Sequence, residues 1–139
     1  MLDVIQEIKY EHLHINKVLS QIDFLIEKGS SRETGSLIDL FNNLSDFWNK
    51  HEIKEKQVFN FVKRHYHQHP GEIMIIGQHK ELRGHWKVIT QAIESNNLDK
   101  IVVVFDTDGR MLIEKFRKHM NQEEKFFKEF EHLKIKNKF

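Results

Sequence analysis

Six polar side chains with metal-binding chemistry interrupt the apolar stripes of the predicted helices. A stripe that faces the core of a helical protein normally carries Leu, Ile, Val or Phe, because its members are removed from water. Here four such stripes also carry imidazoles or carboxylates. The six residues are His12, His51, Glu55, His79, His119 and Glu123.

The burial of two carboxylates requires a compensating positive charge. An unpaired carboxylate in an apolar core costs several kcal/mol, and the stripes contain no permanent cation to neutralise Glu55 or Glu123. A single core His is commonly hydrogen-bonded to a neighbour, but that explanation would have to hold separately for each of these residues. Bound metal resolves all of them together, since imidazole nitrogens and carboxylate oxygens suit iron, zinc or manganese.

Two stripes repeat one spacing. Glu55 follows His51 by four residues, and Glu123 follows His119 by four. Residues at i and i+4 share a helix face, about one turn or ~5.4 Å apart. We therefore expect the two carboxylates to bridge two metal ions, each of which takes imidazoles from two helices.

The elements that position these residues are predicted helices, because the apolar pattern has helical period along the whole chain. Gly29 ends the first helix, Ser30 and Glu33 have capping-box spacing before the second, and Pro70 separates the second from the third. The predicted ranges are about 3–28, from within 30–36 to 65–69, about 71–94 and about 98–134. Four long helices with short loops predict an all-α, antiparallel up-down-up-down four-helix bundle, with residues 1–139 as a single domain.

The fourth predicted helix has two unusual features. The run Ile101–Phe105 has strand propensity, but the sequence offers it no partner strand, so a helix is favoured. Gly109 lies on the apolar stripe beside three polar residues, and it indicates a kink or a break.

Composition excludes several classes of protein. The 139 residues include no Cys, which excludes disulfides, thiolate metal sites and Cys nucleophiles. The 22 basic and 21 acidic residues give a net charge of +1, which argues against a nucleic-acid partner. No apolar run approaches the ~20 residues of a membrane helix, and no signal peptide is evident. We therefore expect a cytoplasmic protein that binds neither nucleic acid nor membrane.

Some assignments stay open on the residues alone. His14 competes with His12 as the ligand from the first helix, although only His12 lies on the stripe. Glu52 either completes a metal shell or is an exposed helix residue. Three histidines suit the negative end of the second helix better than a second metal site. They are His65, His67 and His69.

Two other metal motifs are weaker. The pairs Glu11/His14 and Glu129/His132 have the spacing of ferritin-like sites, but they lie off the stripes. The segment His51–Glu55 is similar to a zinc-protease helix, but it lacks the second His.

Taken in order, one per helix, the motifs resemble those of hemerythrin-like, His-His-Glu cation-binding domains over nearly the whole chain. The motifs are Glu11-His12-Leu13-His14-Ile15, His51-Glu52-x-x-Glu55 with Val58-Phe59 after it, His79-Lys80-Glu81-Leu82-Arg83, and His119-x-x-x-Glu123-Glu124 with Phe126-Phe127 after it. The resemblance implies a non-haem pair of iron ions bridged by Glu55, Glu123 and an oxygen species. The implied terminal ligands are His12 and His51 on one iron, and His79 and His119 on the other.

The sequence departs from the oxygen-carrying members at two positions. Those proteins have a second His one turn after the third-helix ligand, where this chain has Arg83. They also have an acidic residue five positions after the fourth-helix His, where Glu123 stands at four. Four His and two Glu are more similar to the iron-centre repair branch and to sensor domains. The repair proteins also carry an N-terminal Cys-containing module that this sequence does not contain.

The resemblance implies binding of dioxygen, nitric oxide or a related small oxidant, in storage, sensing or protection. The alternative function is iron-centre repair or iron donation, or a small-molecule reductase or ferroxidase-like enzyme. The residues leave open whether the chain is an enzyme and whether it forms oligomers.

Overall fold

Helices make up almost all of residues 2–29, 33–65 and 70–136, the ranges that the computed structural model describes. The helices are α1 (Leu2–Lys28), α2 (Thr34–His65), α3 (Pro70–Glu94), α4 (Leu98–Val104) and α5 (Arg110–Lys136). A π-helical segment, Phe105–Gly109, joins α4 to α5, so the two form one long fourth helix. The prediction of an all-α chain with four long helices is confirmed, and no strand occurs in these ranges.

The helix ends follow the turn-forming residues. Gly29 adopts a φ of 59° directly after α1, and its backbone N–H donates to the carbonyl of Ile26 at 3.0 Å. Glycine adopts this left-handed conformation without the steric cost that a side chain would add. Pro70 is the first residue of α3, where its missing N–H breaks no helical hydrogen bond. Ser30, half of the predicted capping box, lies outside the described residues.

The irregularity that Gly109 indicated takes the form of the π-helical segment. Gly109 is buried, and a Cβ at this position would lie 3.2 Å from Phe105 Cδ1 and 3.4 Å from Ile26 Cδ1. The absent side chain therefore lets α1 pack closely against the turn. The strand-prone run that begins at Ile101 is helical through Val104.

Two hydrophobic clusters form the core, and the polar stripe residues lie between them along each long helix. The first cluster includes Ile15, Leu19, Leu44, Trp48, Leu82, Phe116 and Met120. The second cluster includes Ile5, Ile8, Val58, Phe59, Ile75, Phe126 and Phe127. The six predicted ligands therefore occupy a polar layer inside an otherwise apolar interior. Within the described ranges, no helix is both long and apolar enough to cross a membrane.

Candidate metal centre

Each of the four long helices contributes to one buried polar cluster. The contributions are His12 from α1, His51 and Glu55 from α2, His79 from α3, and His119 and Glu123 from α5. All six are buried, and His79 is the most exposed of them at 8%. Each of them shares a helix face with buried apolar residues, so its side chain points into the core. The six residues singled out in the sequence thus lie in the core.

The side chains from α2 and α5 form the tightest part of the cluster. His51, Glu55, His119 and Glu123 each offer one ligand atom, and these atoms lie within 4.8 Å of one another. His51 Nε2 lies 2.5 Å from Glu55 Oε1 and 2.9 Å from Glu123 Oε1. His119 Nε2 lies 3.3 Å from Glu55 Oε1 and 3.2 Å from Glu123 Oε2. Both carboxylates therefore contact the same two imidazoles.

The imidazoles from α1 and α3 each extend the cluster at a different carboxylate. His12 Nε2 lies 3.1 Å from Glu123 Oε1, and His79 Nε2 lies 2.5 Å from Glu55 Oε2. All six predicted residues thus meet at one place in the fold. That they ligate metal stays a prediction.

Three atoms at the centre of the cluster have no hydrogen-bond partner within the described part of the chain. They are Glu55 Oε2, His79 Nε2 and Glu123 Oε2. The first two approach each other to 2.5 Å, but not in hydrogen-bonding geometry. A buried polar atom left unsatisfied costs about 1–3 kcal/mol. A cation bound among these atoms would satisfy all three, so the donor set fits a metal ion.

Without metal, protonated imidazoles balance the buried carboxylates. Burial has the largest effect on the pKa of His119 and lowers it, but hydrogen bonds with Glu123 and Glu55 outweigh burial and raise the pKa to about 9. Burial also lowers the pKa of His51, but the charge of Glu123 and a hydrogen bond with Glu11 outweigh burial and raise this pKa well above its ordinary value. Burial favours the neutral form of Glu123, yet the charge of His51 and the surrounding imidazoles hold the pKa of this carboxyl well below its usual range. Protons thus supply part of the positive charge that a metal would provide.

Three polar side chains that were not predicted as site residues contact the outer nitrogens of the cluster. They are Glu11, Gln78 and Glu124. Glu11 and Gln78 directly precede a cluster residue in the sequence, and Glu124 directly follows one. A neighbouring helix position lies about 100° around the axis, at the edge of the core, where it can face another helix. The sequence signal that could have identified these three residues is therefore their position next to a predicted ligand.

One indole ring separates the cluster from a surface cleft between α2 and α3. Trp48 is 5% exposed, and its ring centroid lies 5.2 Å from that of His79 and 5.9 Å from that of His119. The cleft has a volume of about 540 Å³, and Trp48, Arg83 and Trp86 are among its lining residues. Trp48 thus belongs to the first hydrophobic cluster and also lines the cleft.

Two residues that were open as ligands lie away from the cluster. His14 is exposed, and its ring packs edge-on against Tyr10 at a centroid distance of 4.9 Å. Glu52 accepts a hydrogen bond of 2.8 Å from Arg83, whose side chain is 57% exposed. Arg83 is therefore directed to the surface, where it holds Glu52 away from the buried carboxylates.

The remaining histidine motifs do not form a second cluster among the described residues. His65 is the last residue of α2 and is exposed, in keeping with the expected placement at a helix end. His67 and His69 lie outside the described residues. Of the ferritin-like pairs, Glu11 contacts His51, and His132 is exposed.

The family assignment rests on a match to a family model. The model of the hemerythrin HHE cation-binding domain matches residues 3–130, a range that contains the whole cluster. Neither the curated proteins nor the solved structures include a chain with detectable similarity to this one. The matched range covers most of the sequence and all four long helices, and the family's cation binding agrees with the donor atoms that the fold brings together. The chain belongs to the hemerythrin HHE cation-binding domain family.

Proposed function

We propose that this chain is a non-haem di-iron protein that binds dioxygen, nitric oxide or a related small oxidant, in storage, sensing or protection. The observation that carries the proposal is the buried set of four imidazoles and two carboxylates, three of whose atoms lack hydrogen-bond partners in the described residues. A family defined by cation binding supplies the expected occupant. Imidazole and carboxylate donors together suit iron, and two carboxylates call for more than one positive charge.

The imidazole rings support two metal positions. The ring centroids of His12 and His51 lie 4.9 Å apart, and those of His79 and His119 lie 4.8 Å apart. In our proposal each pair holds one iron, and the two carboxylates, Glu55 and Glu123, serve both ions. When bound, the iron pair supplies redox chemistry and an open coordination position for a small ligand.

Apolar side chains flank the cluster on two sides and limit the access of water to it. Trp48 packs edge-on against Phe116, at a centroid distance of 5.1 Å, on the side of the first hydrophobic cluster. Phe126 and Phe127 are buried on the side of the second cluster. An apolar surround favours a small uncharged ligand over water and ions. We propose the cleft beside Trp48 as the route of entry for such a ligand.

The order of the hydrophobic clusters supports the antiparallel topology. Along α1 and α3, residues of the second cluster precede the polar layer and residues of the first follow it. Along α2 and α5 the order is reversed. Since both clusters are fixed in space, this alternation favours an up-down-up-down bundle, and we propose that residues 1–139 form it as one domain.

Arg83 favours a second candidate function, iron donation or iron-centre repair. An Arg stands one turn after His79, so this position adds no third imidazole to the half of the cluster formed by His79 and His119, and the side chain of Arg83 pairs with Glu52 at the surface. His79 is also the most exposed of the six residues. An incompletely ligated and partly accessible half suits the release of iron better than repeated, reversible binding of a gas.

Metal analysis and optical spectra test the proposal. Protein purified without added metal should contain about two iron ions per chain, with charge-transfer bands that change on anaerobic reduction. In one outcome, reduced protein is exposed to dioxygen and its original spectrum returns when the gas is removed, over many cycles. This outcome would favour reversible carriage of dioxygen. Irreversible oxidation in one exposure would favour donation or repair. Protein that takes up no iron, even when Fe²⁺ is supplied anaerobically, would refute the di-iron proposal.

A further inference from the structure

The imidazoles on one side of the cluster contact carboxylates through their outer nitrogens. His12 Nδ1 lies 3.0 Å from Glu124 Oε1, and His51 Nδ1 lies 3.3 Å from Glu11 Oε2. Both imidazoles present Nε2 to the interior of the cluster. Each therefore lies between a buried carboxylate and an outer one.

The imidazoles on the other side contact no outer carboxylate among the described residues. His119 Nδ1 donates a hydrogen bond of 3.0 Å to the amide oxygen of Gln78. No described residue forms a hydrogen bond with the Nδ1 of His79. The side chain of His79 is also 11% exposed, whereas that of His119 is fully buried.

This difference changes how strongly each imidazole binds a metal. When Nε2 faces a metal ion, Nδ1 carries the proton and donates it outward. A carboxylate acceptor forms a charge-assisted hydrogen bond, which orients the ring and makes Nε2 a more basic ligand than an amide acceptor does. A carboxylate also adds negative charge near the cation, although Lys54 offsets part of that charge at Glu11. Both effects favour the side of His12 and His51.

Glu11 is the better held of the two outer carboxylates. Its side chain is 14% exposed, and Lys54 Nζ forms an ion pair with Oε1, which leaves Oε2 directed at His51. Lys54 also lies 3.5 Å from Glu7. Glu124 is 47% exposed, so solvent weakens its contact with His12.

We propose that the two metal positions are unequal, with Glu11 as the positioning residue that makes the His12/His51 position the tight one. Glu124 supports it, and Gln78 leaves the His79/His119 position labile. This inference rests on the proposed function, since it assigns different strengths to the two halves of the same centre. The labile half is the one beside Trp48 and the cleft.

The test measures iron release from intact, loaded protein. Protein loaded anaerobically with Fe²⁺ is mixed with an excess of a colorimetric iron(II) chelator, and absorbance is followed with time. We expect two phases of about one iron each. In His79→Ala the slow phase should remain and the fast phase should disappear.

Each substitution of an outer residue should change the rate of only one of the two release phases. Glu11→Gln should accelerate the slow phase about 10-fold or more, the usual effect of losing such a partner, and Glu11→Asp should restore part of the difference. Gln78→Glu should slow the fast phase by a similar factor, which mere loss of packing would not do. Glu81→Gln is the control, because its side chain is 61% exposed and, among the described residues, forms an ion pair only with Lys115, at 3.5 Å.

The outcomes separate this inference from the proposed function. A single phase that releases two irons, unchanged by Glu11→Gln and Gln78→Glu, would overturn the inference and leave the di-iron proposal intact. Loss of the slow phase in His79→Ala would also overturn it. A chain that binds no iron at all would overturn both. Circular dichroism checks that each variant folds. If Gln78→Glu does not fold, the effect of Glu11→Gln on the rate of the slow phase tests the inference by itself.

Discussion

Removal of metal should lower the melting temperature of this protein by at least about 10 °C. Three buried atoms of the cluster lack hydrogen-bond partners among the described residues, and they belong to Glu55, His79 and Glu123. At about 1–3 kcal/mol each, they destabilise the metal-free fold by about 3–9 kcal/mol. A chain of this size gains about 3–5 °C for each kcal/mol of stability, so the lower bound corresponds to about 10 °C.

A second route gives a similar magnitude. A ligand that binds only the folded state stabilises it by about 4 kcal/mol when its concentration is 1,000 times the dissociation constant. Two such sites would add about 8 kcal/mol, which lies within the range obtained from the unsatisfied atoms. The first value depends only on the contacts in the cluster, and the second depends only on mass action.

Calorimetric melting of the loaded and the chelator-treated protein measures the difference. Glu123→Gln should reduce it to less than half, since the substitution removes a charge that both proposed metal positions share. Glu81→Gln, a surface change of the same type, should leave it unaltered. Equal melting temperatures with and without chelator, when elemental analysis confirms that the metal is gone, would show that metal does not stabilise the fold.

Three further predictions concern stoichiometry, pH and redox behaviour. Glu55→Ala and Glu123→Ala should each lose most of both irons, whereas His12→Ala should lose mainly one; full iron content in all three variants would contradict the shared-carboxylate model. In the metal-free protein the folded pKa of His119 is raised from 6.5 to about 9, so its stabilisation is complete below about pH 6.5 and is lost as pH rises through 9. The urea midpoint of the chelated protein should therefore fall between pH 6.5 and 9.5, and a constant midpoint would contradict this. Arg83→His should slow irreversible oxidation in air, followed by the charge-transfer bands, and an unchanged rate would argue against incomplete ligation.

The cluster residues could be predicted from the sequence because the signal is local. Helical period decides which side of a helix a residue faces, and a charged residue on the apolar side is conspicuous whatever the neighbouring helices do. His12 and His14 illustrate the point, since they are two positions apart but only His12 is buried. The positions of the helices followed in the same way from the stripe and from Gly29 and Pro70.

The contacts around the cluster could not be predicted in this way, because they depend on which helices become neighbours. Glu52 was open between ligand and surface, and the neighbour that decides it is Arg83 on α3, 31 residues away. Glu11 reaches His51, which lies 40 residues away on α2. Gly109 indicated an irregularity in the fourth helix, but its π-helical form reflects the packing of Gly109 against Ile26 of α1, which local sequence does not specify.

In the proposed metal-bound protein, the cluster also links the binding of metal to the formation of the whole fold. Its six residues come from all four long helices, and they lie between two hydrophobic clusters that pack independently of any charge. Apolar burial can therefore bring the helices together, but it cannot satisfy the buried carboxylates. Protons on His51 and His119 do so in part, because their pKa values rise in the fold. Metal competes with these protons for the same nitrogens, so the metal-loaded and metal-free proteins should respond to alkaline pH in opposite directions. The first should hold its metal more tightly as pH rises, while the second loses the charge that stabilises its core.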